Sequence, residues 1–208
     1  MVSAVVGIVT ADITVTLDGY GAAPNQRLEA PFGDIDPDRL HSWQFEHVDE
    51  NAAEVAGITE AAAYIMGRNM FSPGREEWDP TWNGWWGDDP PYHAPVFVLT
   101  HHERAPLVME GGTTFNFVTD GIASALEQAR RTAGRGNVAI AGGATTINQY
   151  LAAELIDELR LHVVPFTAGI SGGPRMFDDV PSIQFDTVAA RRTPNVTHLT
   201  YRRQGLGL

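Results

Sequence analysis

Residues 138–146 read Val-Ala-Ile-Ala-Gly-Gly-Ala-Thr-Thr, an apolar run of strand character closed by two glycines. Beyond them Ile147, Tyr150, Leu151 and Leu155 recur at helical spacing. Small residues at a strand-to-helix junction let a ligand approach the main chain. The first N–H groups of the helix and its positive dipole end attract an anion there. Gly142, Gly143, Ala144, Thr145 and Thr146 are therefore candidates for cradling a pyrophosphate. A tight turn would use the same glycine pair, and the third glycine of a dinucleotide fingerprint is missing. Gly67-Arg68 follows another short apolar run. The planar fork of arginine suits a 2′-phosphate, and a surface salt bridge is its competing use.

Composition removes several chemistries. The chain of 208 residues has a formal charge of −12, which repels nucleic acid and anionic membrane surfaces. All 14 basic residues are arginine, so a P-loop lysine and every Schiff base are excluded. With no cysteine there is no disulfide, thiolate metal site or thiol nucleophile. His101-His102-Glu103 invites a metal reading, but neighbours on a strand point to opposite faces, and no metal is expected. Gly169-Ile170-Ser171-Gly172-Gly173 has the Gly-x-Ser-x-Gly spacing but falls in a flexible turn, not at the strand-to-helix elbow of a hydrolase. Asn195-Val196-Thr197 matches a glycosylation acceptor, yet no signal sequence or long apolar span is visible, so a cytoplasmic location is expected.

The elements that must carry these residues alternate. A β-branched strand within 2–17 stops at Asp18-Gly19, and a loop rich in Gly, Pro and Asn leads to a short helix holding Leu40 and Trp43. An amphipathic helix over 49–63 precedes a strand at Tyr64 to Met66. Residues 72–95 hold four of the five tryptophans in a long connection, the length expected of a lid or binding loop; packing the loop down is the tryptophans' other use. Strands at 96–100 and 114–119 follow, then a helix capped by Asp120 and stopped by Gly134 to Gly136. After the glycine-pair unit comes a strand at 159–164 and a closing hairpin around Thr193-Pro194-Asn195. The expected fold is one α/β domain with a mixed, mainly parallel central sheet, helices on both faces and an antiparallel C-terminal hairpin.

Four of these segments, TLDGY, MGRNMF, VFVLT and AGGATTINQYL, occur in the order and at the spacing of the dihydrofolate reductase-like family. The chain resembles in particular the branch containing the reductase domain of the riboflavin-pathway deaminase–reductase, over about residues 5–203. That resemblance implies NADPH as hydride donor and a small heteroaromatic, pterin-like or aminopyrimidine substrate. It implies that Gly142 to Thr146 hold the pyrophosphate and Gly67-Arg68 the adenosine-side phosphate. Thr100 and His101 would flank the adenine ribose, and the loop with Gly21 and Ala22 would cover the nicotinamide. A homodimer is also implied. The zinc deaminase of bifunctional relatives is excluded by the lack of cysteine.

On the substrate side, Asp18 is the candidate for shaping the catalytic pocket, although Asp-Gly is also an ordinary turn. His162 falls where the family has a small hydroxyl residue beside the substrate, and a satisfied core histidine is the alternative. Asp38 and Trp43 occupy the region of the family's substrate-binding helix, with altered spacing that puts folate itself in doubt. Trp85 is the candidate for stacking a flat ring. A flavin- or deazaflavin-dependent reductase and a nucleotide-binding protein without turnover are the alternative functions.

Overall fold

The computed structural model describes residues 7–72 and 77–205. Six parallel strands form its centre: β1 (Val9–Val15), β2 (Ala63–Gly67), β3 (Pro95–Leu99), β5 (Thr114–Val118), β6 (Val138–Gly142) and β7 (Glu158–Val163). A two-residue strand β4 (Leu107–Val108) adds to one edge, and the hairpin β8 (Phe185–Arg192) and β9 (Thr197–Arg203) to the other, all antiparallel. The order across the sheet is β4-β5-β3-β2-β6-β1-β7-β9-β8. This is the mixed, mainly parallel sheet expected, with the antiparallel hairpin at its end. The part of the first predicted strand before residue 7 lies outside the described residues.

Alternation along β1 separates two environments. Val9, Ala11, Ile13 and Val15 face a core shared with α4 (Gly121–Ala133) and α5 (Ala144–Ala152). Ala125, Leu126 and Ala129 recur at helical spacing and are buried there; Gly134 ends α4 at φ +61, a conformation that disfavours side chains. Asp120 precedes α4, but its side chain makes no capping bond. In α5 the buried stripe is Ile147, Tyr150 and Leu151, and the Tyr150 hydroxyl donates to the Ile122 carbonyl. α5 stops before Leu155, which packs from the following turn.

The opposite face carries α1 (Pro37–Phe45), α2 (Ala52–Ile58) and the four-residue α3 (Arg68–Phe71). Asp36 caps α1 by accepting from the N–H groups of Asp38 and Arg39, and Pro37 begins it with a pre-set φ. Leu40 and Trp43, one turn apart, are fully buried. The helix expected over 49–63 is shorter, because a 3₁₀ turn at Asp49–Asn51 precedes α2 and the chain leaves the helix at Thr59. The tryptophan-rich segment packs on this face, with Trp78, Trp82 and Trp86 against a cluster of Tyr64, Met66, Phe71, Val98 and Phe115.

Candidate functional site

The carboxyl ends of β1, β2, β3 and β6 converge where α5 begins. Gly143 is the residue before α5; its side of the chain is open, and no side chain caps the first turn. The helix's first N–H groups are left for another acceptor. Gly142 has φ +124, and the Gly142–Gly143 peptide is cis. A register shift between Ile65 and Met66 brings Met66 opposite Gly142, and Gly67 lies against the first turn of α5. A Cβ on Gly67 would lie 2.4 Å from the Thr146 hydroxyl, so only glycine fits the present spacing. Three glycines, two at strand ends and one at the helix cap, thus expose main chain around one helix start.

The loop after β1 approaches from the other side. Gly21 is pressed against Ile13 and the Thr14 carbonyl, either of which a Cβ would meet at 3.1 Å, and Ala22 is half-buried beside it. Asn69 on α3 donates to the Gln26 side chain at 3.2 Å, tying this loop to β2's end. Asp18 holds a second loop: its carboxylate accepts from the Thr16 hydroxyl (2.6 Å) and from the N–H groups of Ala168 (2.8 Å) and Gly169 (3.1 Å). Desolvation opposes its charge, but these bonds outweigh it and hold the carboxyl below its usual range. A carboxylate so occupied is built to fix the pocket wall and is poorly suited to donating a proton.

Other expected residues are placed differently. Thr100 is buried, and its hydroxyl accepts from the His102 N–H within its own turn; adjacent His101 is exposed. Arg68 lies over the Trp78 ring at 3.9 Å, and burial lowers its pKa. Asp38 is exposed on the first turn of α1. Trp85 packs edge-on against Trp82 at 4.7 Å between ring centres. Trp43 is completely buried, its indole N–H donating to Thr14. His162 is 3% exposed, 4.6 Å from the Trp43 ring, and bonded to His198. His162 thus lies in the core against Trp43 and borders the cavity under α2.

Two features were missed by sequence reasoning. Asn148, buried in α5, donates to the Arg175 carbonyl and accepts from the Phe177 N–H, pinning the 174–179 loop beside the helix; a cavity of about 200 Å³ lined by Thr145, Asn148 and Asp178 lies there. A buried polar cluster under α2 joins Asp12, Arg160, His162 and His198 beside a cavity of about 270 Å³. Its only signal was the polar alternation Thr10, Asp12, Thr14, Thr16. Among the described residues no group of three His, Asp or Glu is placed to hold a metal, and no helix is long and apolar enough to cross a membrane.

The model of the RibD C-terminal domain family matches residues 8–199. A putative riboflavin biosynthesis protein from Shewanella sp. PV-4 is 26% identical with a TM-score of 0.66, over 95% of this chain and 99% of that one. A dihydrofolate reductase from Enterococcus faecalis, solved with NADP(H) and RAB-propyl, shares 15% identity and a TM-score of 0.57 over 95% and 97% of the two chains. A Thermotoga maritima deaminase/reductase shares 15% identity and a TM-score of 0.56; this chain spans 56% of its length. No curated protein matches.

Proposed function

Because the chain belongs to the RibD C-terminal domain family, we propose that it is an NADPH-dependent reductase acting on a small heteroaromatic, pterin-like or aminopyrimidine substrate. The observation that carries the reading is the uncapped start of α5 at Gly142-Gly143, lying at the carboxyl ends of parallel strands and against Gly67. Open sheets of this type bind nucleotides in that position, where strand order reverses between neighbouring crossovers. The residues present fit the group: main-chain amides from Gly143 to Thr146 suit the pyrophosphate, and Arg68, beside Gly67, suits the adenosine-side phosphate. When bound, NADPH supplies the hydride.

The protein's own part is placement and exclusion of water. Gly21 and Ala22 border the crevice on the β1 side, and Asp18 keeps the loop at Ala168 and Gly169 folded against the same end of the sheet. Such fixed walls hold a flat acceptor at reacting distance and shield the transfer from solvent. Exposed Leu17, directly before Asp18, offers an apolar contact for the ring.

The test is the melting temperature with NADPH and with NADH, since a ligand bound only by the folded state raises it. A larger rise with NADPH is expected. Equal rises would remove the role given to Arg68, and no rise with either would end the coenzyme reading.

A further inference from the structure

Asp12 on β1 and His162 on β7 border the same cavity of about 270 Å³ beneath α2. Asp12 Oδ1 and His162 Nε2 are 3.6 Å apart, too far to bond to each other, and among the described residues neither atom has a hydrogen-bond partner. The two side chains are only 10% and 3% exposed. A buried polar atom without a partner gives up its hydration for nothing. Two such atoms side by side at one cavity call for a third group that bonds to both.

The neighbouring bonds say what that group must offer. The Asn51 amide nitrogen donates to the carbonyls of Trp43 (3.1 Å) and His47 (2.8 Å), so its oxygen accepts from His198 Nε2 at 2.9 Å. The other nitrogen of a neutral His198 ring then accepts from His162 Nδ1 at 2.8 Å, which leaves His162 Nε2 as an acceptor. A carboxylate oxygen of Asp12 accepts as well, so the missing group is a donor to both. Charge narrows it further: Asp12, Glu54 and Glu60 on the cavity wall face Arg160 and Arg191, three carboxylates against two guanidiniums. Glu158 and Arg202, paired behind that wall, leave the excess of one negative charge unchanged. A metal ion does not fit, because among the described residues no group of three His, Asp or Glu is placed to hold one. The volume lies just below the roughly 300–1,000 Å³ of ordinary ligand sites. Exposed Ala53 of α2 and Ala189 of β8 give its rim a small apolar surface, suited to a short alkyl chain.

We propose that the cavity under α2 is a binding site for a short-chain primary amine, taken up as its ammonium ion, whose N–H groups donate to Asp12 Oδ1 and His162 Nε2. An alkylammonium carries the positive charge at neutral pH, at least two donors on one atom, and a tail for the alanine rim. The site lies on the face opposite α5 and does not depend on the coenzyme reading. Its roof is α2, which has no fully buried residue and is tied down by Arg191 Nε to Glu54 (2.8 Å) and by Arg160 Nη1 to the Gly57 carbonyl (3.3 Å). A roof fastened at polar points and without a buried apolar anchor opens more readily than the core beneath it, which gives the amine its way in.

Ethylammonium chloride is the probe, and tetramethylammonium chloride, equal in charge but without N–H, is its control at the same ionic strength. In imidazole nitrogen NMR of histidine-labelled protein, ethylammonium should shift the His162 Nε2 signal along a saturating curve and raise the melting temperature. Tetramethylammonium should do neither. Asp12→Asn should weaken ethylammonium binding by about tenfold or more. Ala53→Leu fills the rim from an exposed helix position; it should keep the melting temperature of the free protein and abolish the response, so the test stands even where the Asp12 variant folds poorly. Equal responses to the two ions would mean charge screening alone. No response to ethylammonium would leave water as the partner of the two atoms, and a response that survives Ala53→Leu would put the binding elsewhere; each of these results overturns the proposal.

Discussion

The hydroxyl of Thr146, in the first turn of α5, occupies the space that a side chain on Gly67 would need, 2.4 Å from the position of its Cβ. This spacing sets how closely the end of β2 approaches the helix start where the pyrophosphate is proposed to dock. Gly67→Ala should push the first turn of α5 away, destabilise by about 1–3 kcal/mol and raise the KM for NADPH. Adding Thr146→Ala removes the obstructing hydroxyl. The double variant should recover most of the stability, which a denaturant double-mutant cycle measures; simple additivity would show that the two positions do not press on one another.

Gly143 separates binding from folding. Among the described residues nothing lies within 4 Å of a Cβ built there, and it is the residue before α5. Aspartate is a favoured helix cap, so Gly143→Asp should keep the melting temperature or raise it slightly. Its carboxylate would stand where the coenzyme's anion is proposed to dock. Loss of at least tenfold in NADPH affinity by titration, with folding intact, is the expected result; unchanged affinity would move the pyrophosphate elsewhere.

The chain's order of strands and the α5 junction were legible because β1, β3 and β6 are β-branched runs between turn residues, and because Ile147, Tyr150 and Leu151 share a helical face. The helix α3 was not, since four residues after Gly67 show no periodicity. The packing of Trp43 against His162 was not legible, for one reason. Parallel register sets Thr14 beside His162, and the antiparallel hairpin sets His162 opposite His198. Those pairings join residues far apart in sequence, so a lone histidine between apolar neighbours gave no hint of its partner. Polar alternation along β1 announced a polar face, but not what would cover it.

Trp85 and Trp82 are edge-on neighbours with different duties. Trp82 donates to the Phe71 carbonyl at 2.8 Å and packs on the buried aromatic cluster, whereas Trp85, among the described residues, meets only the Trp82 ring. Trp82→Ala should cost about 3–5 kcal/mol. Trp85→Ala should cost clearly less and, if the ring stacks substrate, raise the substrate KM with NADPH binding unchanged. An unaltered KM assigns Trp85 to packing.

Asp18 gives the crevice an acid limit. Its carboxyl is held below the usual range in the folded state by Thr16, Ala168 and Gly169, against the opposing effect of desolvation. The stabilisation is present above about pH 3.9, the unfolded value, and is lost as pH falls through the lower folded value. Asp18→Asn keeps the shape and removes the charge. It should loosen the Ala168–Gly169 loop and raise the substrate KM, and faster amide exchange at those two residues is the readout. Exchange as slow as in the wild type would mean that the loop stands without the carboxylate.

Histidines 41 and 198 act at higher pH and with the opposite protonation. Burial is the main cause of lowering in both, and each pKa falls from 6.5 to about 4, so the folded protein keeps these rings neutral where the unfolded chain protonates them. Between about pH 6.5 and 4 the unfolded state binds more protons, so stability must fall as the solution is acidified, with a slope approaching two protons. His41 stacks on Phe32 with ring centres 4.7 Å apart, and His41→Phe preserves that contact while removing the titration. Urea midpoints at pH 6.5, 5.5 and 4.5 should therefore decline about half as steeply in the variant. An identical decline would mean that the His41 ring already takes up its proton in the folded protein, and that α1 tolerates the charge.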